Sequence, residues 1–104
     1  MARTPIHTGV ILADELSEIG LSSAELARTL HVPANRISQI IAGKRAISAD
    51  TALRLARHFG TTPDFWMNLQ KIYELDLARK SLSGTLNSIP QRPASVAAMH
   101  FQEA

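Results

Sequence analysis

Asn35, Arg36 and Gln39 sit close together in the chain and carry the donors and acceptors needed to read the edges of nucleic-acid bases. An arginine guanidinium forks onto O6 and N7 of guanine, and an asparagine or glutamine amide pairs with N6 and N7 of adenine; each good pair discriminates by about 1–3 kcal/mol. Ser23, Ser38, Lys44 and Arg45 flank these three with hydroxyl and cationic donors suited to phosphate oxygens. The charge is distributed accordingly. The whole chain is only +2, but residues 22–45 hold Arg28, Arg36, Lys44 and Arg45 against Glu25 alone, whereas residues 1–21 set Arg3 against Asp14, Glu15 and Glu18. A polyanionic partner would therefore meet residues 22–45.

Other chemistries lack their parts. There is no cysteine, and His7, His31, His58 and His100 lack the close spacing of metal pairs, so neither a metal nor a redox cofactor is expected. The carboxylates of Asp14, Glu15 and Glu18 have no facing histidine and read as solvated helix surface, which leaves no nucleophile or acid/base pair for an enzyme. Arg28, Arg54 and Arg57 follow no pattern of their own and also read as a solvated face. Charge-free stretches such as Thr4 to Ala13 stay well short of the ~18 apolar residues of a membrane span. No signal-peptide pattern opens the chain, so the expected compartment is the cytoplasm.

The elements that must position these side chains are helical, because apolar residues recur at three and four and nowhere alternate over a useful length. In 104 residues, 45% of them apolar, we expect one all-α domain of five helices with a single core. The first helix runs from about Gly9 to Ile19, buries Leu12, Leu16 and Ile19, and stops at Gly20. The second opens on Ser22-Ser23-Ala24-Glu25, a capping box, and buries Leu26, Ala27 and Leu30. Pro33 ends it near His31 and starts the third, Ala34 to Ala42, with Ile37, Ile40 and Ile41 inward and Gly43 after it. His31 falls at a turn position that favours glycine.

Ser48 caps a fourth helix to Phe59, with Ala49, Ala52, Leu53, Ala56 and Phe59 as its apolar set and Gly60 as its stop. Thr62 and Pro63 open a fifth, striped by Phe65, Trp66, Leu69, Ile72 and Tyr73. Met67, Leu75 and Leu77 lie off that stripe, an apolar surplus for which a partner helix is the natural cover. Gly84, Pro90 and Pro93 are expected to end regular structure, dividing the chain into a domain of residues 1–82 and a tail of 83–104, in which Ala94 to Gln102 is at most a short docked element.

A capped helix, a tight turn and a second helix with a polar outer face form a helix-turn-helix. The same arrangement also occurs in bundles that never touch DNA, and spacing alone leaves both readings open. The run Ser22 to Arg45 resembles the Cro and λ-repressor type helix-turn-helix family. Over about residues 7–80, the runs Leu21-Ser22-Ser23-Ala24-Glu25-Leu26-Ala27, Gly43-Lys44-Arg45, Asp50-Thr51-Ala52-Leu53-Arg54-Leu55-Ala56 and Phe65-Trp66-Met67-Asn68-Leu69-Gln70 look like the HigA antitoxins. Thr8 and Val10 depart from the proline and glutamate usual there, and Ser23 and Ala34 replace glutamines common at the two helix starts of the repressor family.

The resemblance implies a λ-repressor-like fold and a homodimer that represses its own operon at a palindromic operator in double-stranded DNA. It also implies a HigB/RelE-like mRNA-cleaving toxin as the protein partner. On that reading Ser23, Ala34, Asn35, Arg36, Ser38, Gln39, Lys44 and Arg45 meet DNA, and Trp66, Met67, Leu69, Gln70, Tyr73 and Leu77 form the dimer interface. A plain repressor with no toxin is the alternative.

Overall fold

The computed structural model describes residues 3–93, so the tail reading for Ala94 to Gln102 and the position of His100 fall outside the described residues. Five helices follow in order: α1 Thr8–Ile19, α2 Ser23–Leu30, α3 Ala34–Ile41, α4 Ala49–Phe59 and α5 Pro63–Ser88. Four starts are closed by side chains, each accepting one of the amide donors a helix N-terminus leaves free. His7 Nδ1 accepts from the Gly9 amide, Ser22 from Glu25, Ser48 from Thr51 and Thr62 from Phe65. At α2 the box is complete, since the Glu25 carboxylate also accepts from the Ser22 amide at 3.0 Å. Gly20, His31 and Gly60 end α1, α2 and α4 in the left-handed region.

α2 and α3 pack on each other and against α1 and α4, and α5 closes the bundle along α4 and α1. The core is Leu12, Leu16, Leu26, Leu30, Ile37, Ile40, Ile47, Leu55 and Trp66, with small residues Ala27, Ala52 and Ala56 where helices approach. Gly9 marks a close approach of two helices. A Cβ on it would overlap the carbonyl oxygen of Ile40 and lie 2.8 Å from the carbonyl carbon and 3.0 Å from Ile41 Cα, so α1 can lie against the end of α3 only because that position has no side chain. Among the described residues no helix is long and apolar enough to cross a membrane.

Several assignments shift from the sequence reading. In α4 the inward face is Thr51, Ala52, Leu55 and Ala56, while Leu53 and Ala49 point outward; both phases fit a 3.6-residue repeat, and Ile47 in the preceding loop joins the buried core. Ile19 is exposed, being the last residue before the Gly20 turn leaves the bundle, and Ile41 is only half-buried. Along α5, Phe65 and Ile72 are exposed. The helix also runs through Gly84 to Ser88, correcting the expected end before residue 83. A glycine costs a helix about 1 kcal/mol but keeps its amide, so one glycine does not end it. Pro90 does. It drives Ile89 out of the helical region, to φ −83°, ψ 116°.

Candidate nucleic-acid interface

The α2–turn–α3 unit presents its polar side chains from two short helices held at a fixed angle. The turn is held by backbone bonds from the amides of His31 to Arg28 and of Val32 to Ala27, with His31 at φ 60° accepting the strain that glycine would avoid. Ala34, Asn35 and Ser38 are exposed on α3, and Arg36 and Gln39 are half-buried at its flanks. Ser23 is half-buried at the start of α2, and Lys44 and Arg45 are exposed beyond α3. The loop carrying those two bases is fixed at both ends. The Lys44 amide donates to the Gln39 carbonyl at 2.8 Å, and the Ile47 amide donates to Oε1 of buried Gln70 at 3.0 Å.

An open cleft of about 390 Å³ is lined by Arg36, Arg45, Ala46, Ser48, Asp50 and Thr51, bringing Arg36 of the helix together with Arg45 of the loop. The exposed Ser38 hydroxyl folds back on its own helix, donating to the Asn35 carbonyl at 3.4 Å. Arg36 is held by a residue that the sequence reading passed over. Its Nη1 donates to Asp50 Oδ1 at 2.8 Å, and Arg54 Nε donates to the same oxygen at 2.7 Å. The bond from Arg54, joined by its charge and by the bond and charge of Arg36, holds the Asp50 carboxyl below the usual carboxylate range. The Asp50–Arg54 spacing of four was the available signal. Glu25 is held low as well, first by the Ser22 amide and then by the Ser22 hydroxyl.

Two of the residues expected at a dimer interface are instead committed within the chain. Trp66 is fully buried between Phe59 and Phe65, its Nε1 donating to Thr61 Oγ1 at 2.9 Å. Gln70 is buried too; besides the Ile47 amide it receives the Thr8 hydroxyl at 3.4 Å and donates to Glu74. Met67 and Leu69 pack half-buried on the core, and Tyr73 lies edge-on to His7 with ring centres 4.8 Å apart. Leu77 is exposed, on the side of α5 opposite the exposed apolar stripe of Ile72, Leu75, Leu82 and Leu86. Asp76, a buried carboxylate also missed in the sequence, pairs with Arg3 and Arg79 at 3.3 Å each.

The helix-turn-helix family model HTH_3 matches residues 14–66, which span the whole of this unit and every core residue but Leu12. Virulence-associated protein I of Dichelobacter nodosus is 47% identical over 72% of this chain and 70% of its own length. An addiction module antidote protein of a HigA family from Coxiella burnetii is 44% identical, with a TM-score of 0.84 over 88% of this chain and 100% of that one. The Pseudomonas aeruginosa antitoxin HigA, solved with the higBA promoter, is 43% identical with a TM-score of 0.82 over 86% and 100% of the two chains.

Proposed function

Because the chain belongs to the HTH_3 helix-turn-helix family, with solved neighbours among the HigA-family antitoxins, we propose that it is an antitoxin and a sequence-specific DNA-binding autorepressor. The observation that carries this reading is the cleft beside α3, where Arg36 and Arg45 face a common space next to the exposed Asn35. Asn35, Arg36 and Gln39 read base edges in the major groove, while Ser23, Lys44 and Arg45 take phosphate oxygens. That the HigA neighbour was solved with the higBA promoter supports DNA as the partner.

Two copies bind a palindromic operator, their recognition helices about 34 Å apart, one turn of DNA. The exposed face of α5, with Ile72, Leu75 and Leu82, is the apolar area that a second copy would cover. The protein partner is a HigB/RelE-like mRNA-cleaving toxin, which the antitoxin binds and neutralises in the cytoplasm.

Binding to duplex DNA across a salt series tests the reading. Each phosphate neutralised by Lys or Arg adds about −0.9 to the slope of log K against log salt. Arg36→Ala should lose about 1–3 kcal/mol and relax one base position, whereas Lys44→Ala should weaken all sequences alike and flatten the slope by about one contact. A uniform effect of Arg36→Ala across operator variants would remove it from base reading. A stoichiometric small basic companion, recovered with the tagged chain from its host and cleaving RNA once freed, supports the toxin partnership. A chain recovered without such a companion, from cells shown to express an adjacent reading frame for a small basic protein, leaves a plain repressor.

A further inference from the structure

The Asp50 carboxylate ties α3 to the rest of the domain. It sits in the first turn of α4, with its side chain 56% exposed, and its Oδ1 accepts from both Arg36 and Arg54. Arg54 reaches on to α2, where its Nη1 donates to the carbonyls of Leu30 at 2.8 Å and His31 at 3.4 Å. A continuous line of hydrogen bonds thus runs from the turn of the helix-turn-helix through Arg54 and Asp50 to Arg36. Only Nη1 of Arg36 is engaged; Nε and Nη2, the parallel pair that matches O6 and N7 of guanine, have no partner among the described residues.

An arginine fixed at one nitrogen with its fork free has already lost much of the side-chain freedom that binding would otherwise remove. A carboxylate at this surface also repels phosphate, so it opposes indiscriminate binding of polyanions. Resting on the base-reading role of Arg36, we propose that Asp50 is a positioning and specificity-determining residue, which presents the Nε/Nη2 fork of Arg36 to one base pair and is itself locked by Arg54. It touches no base. Its effect is to convert general affinity for DNA into preference at the pair that Arg36 reads.

The test uses the full chain and a duplex that it selects from a randomised pool, together with that duplex altered at the base pair relaxed by Arg36→Ala. Discrimination by the unaltered chain at that pair should be at least about fivefold. Asp50→Asn should lower it by roughly threefold or more while tightening binding to unrelated duplex, and adding Asp50→Asn to Arg36→Ala should relax the pair no further. Asp64→Asn removes the same charge at the start of α5, away from Arg36, and should change overall affinity alone. Matching melting curves for the variants keep loss of fold out of the comparison.

Discrimination retained in Asp50→Asn, with affinity rising equally for every duplex, overturns the proposal and leaves a simple charge. Equal loss at all base positions overturns it too. Recovery of no salt-sensitive duplex by the unaltered chain overturns the base-reading role beneath it as well.

Discussion

Gly9→Ala sets two known effects against each other, and the geometry decides the sign. Alanine is the better helix former by up to about 1 kcal/mol, so propensity alone predicts a gain at this position in the first turn of α1. Against it, the new methyl would overlap the Ile40 carbonyl oxygen and lie 2.8 Å from its carbon, where carbon contacts settle at about 3.5–4.0 Å. The obstructing atoms are backbone, so no rotamer change can relieve them. α1 and α3 must separate by about 1 Å, loosening the seam where Leu12, Ile37 and Ile40 are fully buried. Overpacking of this kind costs about 1–3 kcal/mol, and a backbone obstruction belongs at the upper end. The net is a loss of about 2 kcal/mol, or a fall in Tm of about 8–16 °C for a domain of this size.

Gly84→Ala is the companion measurement, because a Cβ there meets nothing within 4 Å. It should raise helix content slightly, gaining at most about 1 kcal/mol locally, with no fall in Tm. Calorimetry and far-UV circular dichroism on both variants decide the matter. A Gly9→Ala protein that melts at or above the parent temperature would refute the close-approach argument.

Three further outcomes are expected. His31→Gly should stabilise by about 0.5–1 kcal/mol in urea unfolding, since histidine at φ 60° carries a strain that glycine does not; an unchanged midpoint would mean that the ring's contacts offset it. Gln70→Leu should cost about 2–3 kcal/mol and speed hydrogen exchange at the Ile47 amide, because that amide and the Thr8 hydroxyl lose their buried acceptor. Glu25 and Asp50 should titrate by NMR below the ordinary values of glutamate and aspartate carboxyls, Glu25 because of its bonds from Ser22 and Asp50 because of its bonds and charges from Arg54 and Arg36. Because both are depressed on folding, their contribution is complete above those values and is lost as pH falls through the lower folded ones; ordinary midpoints would count against the capping box and the Arg36 anchor.

Much of the architecture was legible because its signals are local. The Ser22/Glu25 box, the Ser48 and Thr62 caps and the stops at Gly20 and Gly60 each act within a few residues, and each stands where the spacing put it. What stayed hidden depends on distant partners. Gln70 and Asp76 look like surface residues until Thr8 and the Ile47 amide are brought to the one and Arg3 to the other, 62, 23 and 73 positions away. The phase of α4 was ambiguous for a related reason: both Leu53 and Leu55 fit the repeat, and the choice of Leu55 follows from how α4 packs on α5 and α2. At the surface proposed to face DNA the side-chain types marked Arg36, but its tie to Asp50 crosses from one helix to another and leaves no mark in either helix's periodicity.

Trp66 is the chain's single tryptophan, and its burial between Phe59 and Phe65 at the junction of α4 and α5 makes it a built-in optical reporter. A dry indole emits to the blue of a solvated one, so its fluorescence follows the packing of α5 on the core. The cleft that holds Arg36 and Arg45 has no aromatic lining, and duplex DNA bound there would leave the emission unchanged. One cuvette could then separate two ways a variant loses its operator: a red shift marks a domain that has come apart, and a silent spectrum marks an intact one that no longer recognises the bases.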